Sequence, residues 1–184
     1  MQIRKLIPEE APLFQELRLR GLKDHPEAFG ESHDEFASQS AEEIARRIQP
    51  ASGSRTGFVL GAFDGEARLV GVVALTRDSA RKRFHKAILW GMYVLPEYRR
   101  QRLATRLVRA LIGFAREFGD LEQIQLTVAA RNERAVRLYE SLGFRSYGRE
   151  PRALCINGEY FDQEHMVLVL GERESTITST NPQG

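Results

Sequence analysis

The residues AILWGMYVL, Ala87 to Leu95, form an apolar run broken only by Gly91 and ended by Pro96. A short apolar run bounded by proline reads as a buried strand. Gly91 inside it has two readings: a bulge or close approach by another backbone or ligand, or a small residue fitted beside Trp90. The next stretch, PEYRRQRLATRLVRALIGFAREF, Pro96 to Phe118, spaces its apolar residues as an amphipathic helix does. A buried strand therefore passes through a short turn directly into a helix.

The rest of the chain repeats the alternation. QIRKL is a first strand closed by Pro8, and EEAPLFQELRLRGLK places Leu13, Phe14, Leu17 and Leu22 on one helical face, with Pro8 and Pro12 in the first turns where proline is tolerated. DHPEAFGESHDEFASQ, polar and broken by proline and glycine, is expected to be an irregular surface segment. SAEEIARRIQ follows as a short helix, Ser40 and Glu43 standing at capping-box spacing. GFVLGAFDGEARLVGVVALTRD is a hairpin about Asp64-Gly65. After the arginine-rich helix come the strand LEQIQLTVAA, a helix in NERAVRLYESLGF with Asn132 as N-cap and Gly143 as its stop, and the final strands RSYGREPRALCING and EHMVLVL. This order implies an α/β fold, a mixed sheet covered by helices. With no repeat and no linker, residues 1–171 are expected to form a single domain, and 172–184, polar and aperiodic, a mobile tail.

Charge is informative through its placement. A net charge of +2 is too small to argue for nucleic acid, yet 23 of the 27 basic residues are arginine, and Arg99, Arg100, Arg102, Arg106 and Arg109 crowd one helix start. The first amides of a helix lack partners and the helix dipole is positive there, so this junction suits a phosphate group. A solvated basic face is the alternative. No apolar run approaches the roughly 20 residues of a membrane span, and MQIRKLIPEE lacks a signal-peptide core, so a cytoplasmic protein without membrane contact is expected. Cys155, the single cysteine, rules out an internal disulfide. It lies in the apolar run ALCI, where burial is expected rather than nucleophilic chemistry, and no metal site is expected.

Together, VLPEYRRQRLA and RNERAVRLYESLGF resemble the GCN5-related N-acetyltransferase (GNAT) family, whose members carry an Arg/Gln-x-x-Gly-x-Gly/Ala loop and then an Asn-x-x-Ala-x-x-x-Tyr helix ending in Gly-Phe. Here these are Arg99-Arg100-Gln101-Arg102-Leu103-Ala104, and Asn132, Ala135, Tyr139, Gly143 and Phe144. The resemblance extends over essentially Gln2 to Leu170. It implies a mixed, mostly antiparallel central sheet flanked by helices and splayed at the strand before the loop. It also implies acetyl-CoA as co-substrate and an amine of a small molecule or peptide as acceptor; the oligomeric state, including a homodimer, stays open, pairing through the C-terminal strands being common in such folds and MVLVL a segment that could serve.

Position by position, the resemblance assigns the pantetheine arm to the main chain of Met92, Tyr93 and Val94, and the pyrophosphate to Arg99 through Thr105. It assigns a cofactor contact to Asn132 and protonation of the departing thiolate to Tyr139, which on helical spacing alone would be a buried aromatic. Two departures stand out. Arg102 replaces the loop's central glycine; it is expected to adopt an ordinary helical φ and point outward, the alternative being to crowd the phosphates. And neither AILWGMYVL nor IQLTVAA holds an acid to serve as base, Thr127 standing where one branch has glutamate. Glu31, His33, Asp34, Asp162, Glu164 and His165 are the remaining candidates. The acids of PEAFGESHDEF would favour a cationic acceptor. A CoA-binding or regulatory module without turnover is the second reading.

Overall fold

A computed structural model describes residues 1–48 and 56–171; the tail expected to be mobile, 172–184, and Gln49, the last residue of the segment SAEEIARRIQ expected to be helical, lie outside them. The described chain runs β1 (Gln2–Lys5), α1 (Ala11–Asp24), α2 (His33–Ala37), α3 (Ala41–Ile48), β2 (Gly57–Phe63), β3 (Leu69–Arg77), β4 (Lys86–Val94), α4 (Leu103–Arg116), β5 (Gln123–Ala129), α5 (Glu133–Glu140), β6 (Arg145–Ile156) and β7 (Glu159–Val169). Among the described residues seven strands make one sheet in the order β1–β2–β3–β4–β5–β7–β6. Every neighbouring pair is antiparallel except β4 and β5. The expected mixed, mostly antiparallel sheet is present.

Each face of the sheet carries its own core. On one face α4 turns Leu103, Leu107, Leu111 and Ala115 inward at successive turns, leaving Arg106 and Arg109 exposed. On the other, α1 to α3 bury Phe14, Leu17, Leu22, Phe36, Ile44 and Ile48 against β2, β3 and β4. Leu13, placed on this buried face from spacing, is 41% exposed and borders a surface recess with Arg20 and Glu97. The segment expected to be irregular contains α2. Ser32 Oγ accepts from the Glu35 N–H at 3.2 Å, Glu35 accepts from the Ser32 N–H at 2.8 Å, and Phe36 anchors the turn with no exposed surface. A capping box and one apolar anchor outweigh the polar composition. The same reciprocal bonds join Ser40 and Glu43, as their spacing predicts.

Cys155 is exposed, contrary to expectation. It lies on β6, the edge strand, much of which is exposed, so an apolar run there has little to pack against. Within MVLVL, Met166 and Val167 pair with β5 on one side and β6 on the other, so their main chain is already committed within the sheet, whereas the register of Leu168 and Val169 is with β5.

The feature that shapes the functional region is in β4. Trp90 pairs with Ala74 and Tyr93 with Val72, so β4 uses two intervening residues where β3 uses one. Gly91, at φ +69°, is in this bulge. On its other side β4 pairs with β5 only through Lys86, Ala87 and Ile88. Beyond Ile88 the two strands part. A Cβ on Gly91 would meet nothing closer than 3.7 Å, so only the backbone conformation resists a side chain. Gly91→Ala is expected to lower stability by about 1–2 kcal/mol, the cost of a left-handed φ for an L-residue, read as a lower denaturation midpoint at unchanged slope.

Candidate active site

Where β4 leaves β5, the structure has a cleft of about 500 Å³. Met92, Tyr93 and Val94 form one wall. The Leu95 N–H donates to Val70 O at 3.0 Å, so strand alternation turns the Val94 N–H and C=O away from β3 and into the split. The Val94 carbonyl accepts from Arg99 Nε at 3.0 Å. Its amide is thereby aimed where a ligand carbonyl can be bound.

Arg99, Arg100, Arg102, Leu103, Ala104 and Thr105 form the rim, whereas Gln101 is exposed and does not line the cleft. Arg102 does not take the expected helical φ. It adopts φ +55°, ψ +19° as the N-cap of α4, and Arg100 is also left-handed at φ +63°. The family's glycine position thus keeps a glycine-like backbone here although the residue is arginine. Curled main chain leading into a helix start makes a concavity of N–H groups suited to an anion, and the exposed Arg102 side chain stays at its edge. Arg106 and Arg109, from the same cluster, do not line the cleft.

Arg99 also reaches His25, Nη2 to Nε2, at 3.2 Å. A guanidinium only donates, so His25 Nε2 is the acceptor and its proton sits on Nδ1, 3.5 Å from Glu27 Oε1. His25, Ala28 and Phe29 close the cleft from the α1 side. Spacing gives no sign of these three residues. Their only signal is the proline-broken segment following α1, which the family resemblance pictures as a covering loop.

Helix α5 supplies the opposite wall. Asn132 Oδ1 accepts from the Ala135 N–H at 3.1 Å as the N-cap, which leaves its amide NH₂ to face the cleft. Tyr139 lines the cleft yet is only 6% exposed, its ring edge-on to Phe144 with centroids 5.7 Å apart. Burial alone pushes its phenol above the ordinary range, so it keeps its proton throughout neutral pH. Tyr93 is different: its hydroxyl donates to Asp24 Oδ2 at 2.7 Å on the α1 side, and burial followed by that carboxylate pushes its phenol up to about 12.

None of the six candidate bases lines the cleft. Glu31 is held by Arg47 at 2.8 and 3.1 Å, and His33 pairs with Asp34 at 3.0 Å in solvent. Asp162 binds Arg149 and the Arg152 N–H, both at 2.9 Å, Glu164 accepts from the Ser146 hydroxyl, and His165 pairs with Glu150 at 2.9 Å. Thr127 is exposed on β5.

A sequence profile of the Acetyltransferase (GNAT) family matches residues 19–144. This chain belongs to the GNAT acetyltransferase family. Acetyl-CoA is the co-substrate of that family. A spermidine N(1)-acetyltransferase of Vibrio cholerae is 28% identical over 106 residues, which span 58% of this chain and 60% of that protein. Among solved structures, a GNAT acetyltransferase of Streptococcus pneumoniae superposes with a TM-score of 0.83 at 25% identity, covering 91% of this chain and 98% of that one. A Salmonella typhimurium protein described as a putative acetyltransferase with its cofactor acetyl-CoA shares the fold, with a TM-score of 0.78 at 20% identity over 94% of this chain and 95% of that one.

The left-handed backbone at Arg102 reverses a usual preference. Arg102→Gly is expected to be more stable than Arg102→Ala by about 1 kcal/mol, because alanine carries the strain and glycine does not. Paired denaturation curves measure the difference, and alanine above glycine would contradict the assigned φ.

Proposed function

We propose that this protein transfers the acetyl group of acetyl-CoA to a primary amine of a small molecule or peptide, by direct attack within a ternary complex. The observation that carries the reading is the convergence on one cleft of the Val94 amide, the curled start of α4 and the Tyr139 phenol. In this reading the pantetheine arm runs along the unpaired side of Met92 to Val94, and Asn132 contacts it through its free NH₂. The pyrophosphate sits against residues 99–105, with arginine side chains supplying charged donors. The neutral amine attacks the thioester carbon while the Val94 N–H holds the developing oxyanion. The C–S bond breaks, the sulfur takes a proton from Tyr139, the attacking nitrogen gives up one proton to solvent, and solvent returns one to Tyr139. The products are an N-acetylated amine and CoA thiol.

The raised phenol fits this role. Tyr139 is fully protonated when needed, and a thiolate left in the same dry wall is itself destabilised by burial, which raises its affinity for a proton. Tyr139→Phe is expected to lower kcat by about a hundredfold or more, the usual contribution of a positioned acid, with the calorimetric Kd for acetyl-CoA nearly unchanged. Equal turnover of the two forms across a panel of amines would remove the assignment.

No carboxylate lines the cleft among the described residues, and the Nε2 of His25, which does line it, is engaged by Arg99, so in this reading an ammonium acceptor loses its proton to water before it attacks. The kcat/KM for acceptor is therefore expected to climb about tenfold per pH unit until the pKa of the amine itself. A plateau well below that pKa would reveal a protein base. The same absence motivates the second reading, a CoA-binding module without turnover, which tight acetyl-CoA binding with no product from any amine would select.

A further inference from the structure

Among the described residues two arginines, Arg18 and Arg77, are buried, and they differ in one respect. Arg77, 3% exposed, has each guanidinium nitrogen engaged: Nε with the Phe84 carbonyl, Nη1 with Asp120 Oδ1 at 2.9 Å and Nη2 with Asp120 O at 3.3 Å. Arg18, on α1 and 4% exposed, has Nε and Nη1 buried with no hydrogen-bond partner among the described residues. Its remaining nitrogen, Nη2, is 3.6 Å from Glu31 Oε2, beyond good hydrogen-bonding distance. Buried donors without partners are rare in folded proteins and point to a missing ligand or water.

The surroundings say what kind of ligand. Glu31 is shared between Arg18 and Arg47, two guanidiniums against one carboxylate, so one positive charge is uncompensated. Rings of Phe29, Phe36 and Trp90 lie 4.3, 5.9 and 5.8 Å from the Arg18 guanidinium carbon and keep the site dry. Nη1 is 3.7 Å from where a Cβ on Gly91 would stand, so the free donor abuts the bulge that opens the cleft. Phe29 both covers the guanidinium and lines the cleft, so one ring stands between Arg18 and the cleft.

We infer that Arg18 is the recognition group for a carboxylate on the amine acceptor, so that the acceptor is an amino acid or a peptide presenting a carboxylate near its amine. The inference rests on the acetyltransferase reading and gives it a substrate class. It also reverses the expectation that the acids of the 26–36 segment select a cationic acceptor: Glu31 is bound by Arg47, Glu35 caps Ser32, Glu27 lies 3.5 Å from His25 Nδ1 and Asp34 is fully exposed. A carboxylate oxygen can accept from the free Nη1, and the low dielectric set by the aromatic rings strengthens that charge-assisted bond.

The test measures acetyl transfer from acetyl-CoA to matched acceptors: amino acids, the corresponding carboxamides, and linear polyamines. For the unaltered protein, kcat/KM is expected to be about ten- to a hundredfold higher for a carboxylate than for its carboxamide, the range for a hydrogen bond to a charged group. In Arg18→Gln that ratio is expected to fall to near one while the Kd for acetyl-CoA stays within about twofold. Preference of the unaltered protein for carboxamides or polyamines overturns the inference without any variant, so poor folding of Arg18→Gln does not protect it. A ratio retained in a folded Arg18→Gln overturns it as well. Transfer to those other amines leaves the acetyltransferase reading standing, whereas acetyl-CoA binding with no transfer to any acceptor removes both.

Discussion

Strands β4 and β5 pair over Lys86 to Ile88 and then separate, leaving one side of the β4 main chain unpaired as far as Val94. An unmet buried peptide group costs on the order of 1–3 kcal/mol, so a split of this kind closes or fills unless its walls are held apart. Here the bulge at Gly91 turns the strand, α4 and α5 pack one side of the sheet around Leu103, Leu107, Tyr139 and Phe144, and α1 to α3 pack the other. The cleft, the free Val94 amide and the proximity of Arg18 to the bulge all depend on that parting.

The C-terminal end of α1 is what couples the two sides. Three contacts link it to the strand and loop beyond the bulge: Arg20 with Glu97 at 3.3 Å, Asp24 with the Tyr93 hydroxyl at 2.7 Å and His25 with Arg99 at 3.2 Å. They are not equal. The first joins exposed side chains and contributes little beyond about 0–1 kcal/mol. The Tyr93 bond joins a buried phenol to a carboxylate, a charge-assisted interaction of roughly 1.5–3 kcal/mol. Asp24 therefore anchors the helix end, and the neighbouring His25 inherits its position against Arg99. Phe29, five residues further on, is carried to the cleft by the same anchor.

Local signals recover most of the fold because most of it is locally encoded. The apolar run GFVLGAF, the alternation in IQLTVAA, the Ser40–Glu43 pair, the Asn132 cap and the Gly143 stop each correspond to an element of the structure. Gly91 is legible as a possible bulge because glycine in a strand is itself a signal. Arg102 is not, since an arginine gives no hint that its backbone is left-handed. Cys155 defies its apolar neighbours because burial depends on what covers a strand: the core beneath α1 to α3 draws its strand residues from β2, β3 and β4 and leaves β6 bare. His25, Phe29 and Arg18 give no sequence sign of being neighbours of the cleft, because that adjacency arises from tertiary packing across some seventy residues of chain, as in the contact of His25 with Arg99.

A left-handed arginine at a ligand-binding rim calls for an energetic reason. Strain of about 1–2 kcal/mol at Arg102 is small beside the burial achieved by the helix it caps, for α4 buries Leu103, Leu107, Val108, Leu111 and Ile112, each contributing about 1.5–3 kcal/mol. The helix fixes where its first turn begins, and the loop must curl to meet it. Glycine would take the same curl without strain and bare the main chain. Arginine keeps the curl and adds a third guanidinium to a rim where Arg99 is already bound to Val94 and His25. With Arg99 occupied in this way, the proposed acetyl-CoA reading leaves Arg100 and Arg102 as the rim side chains to answer the pyrophosphate charge. The substitution exchanges closeness of the backbone for a mobile charge at the edge of the same concavity.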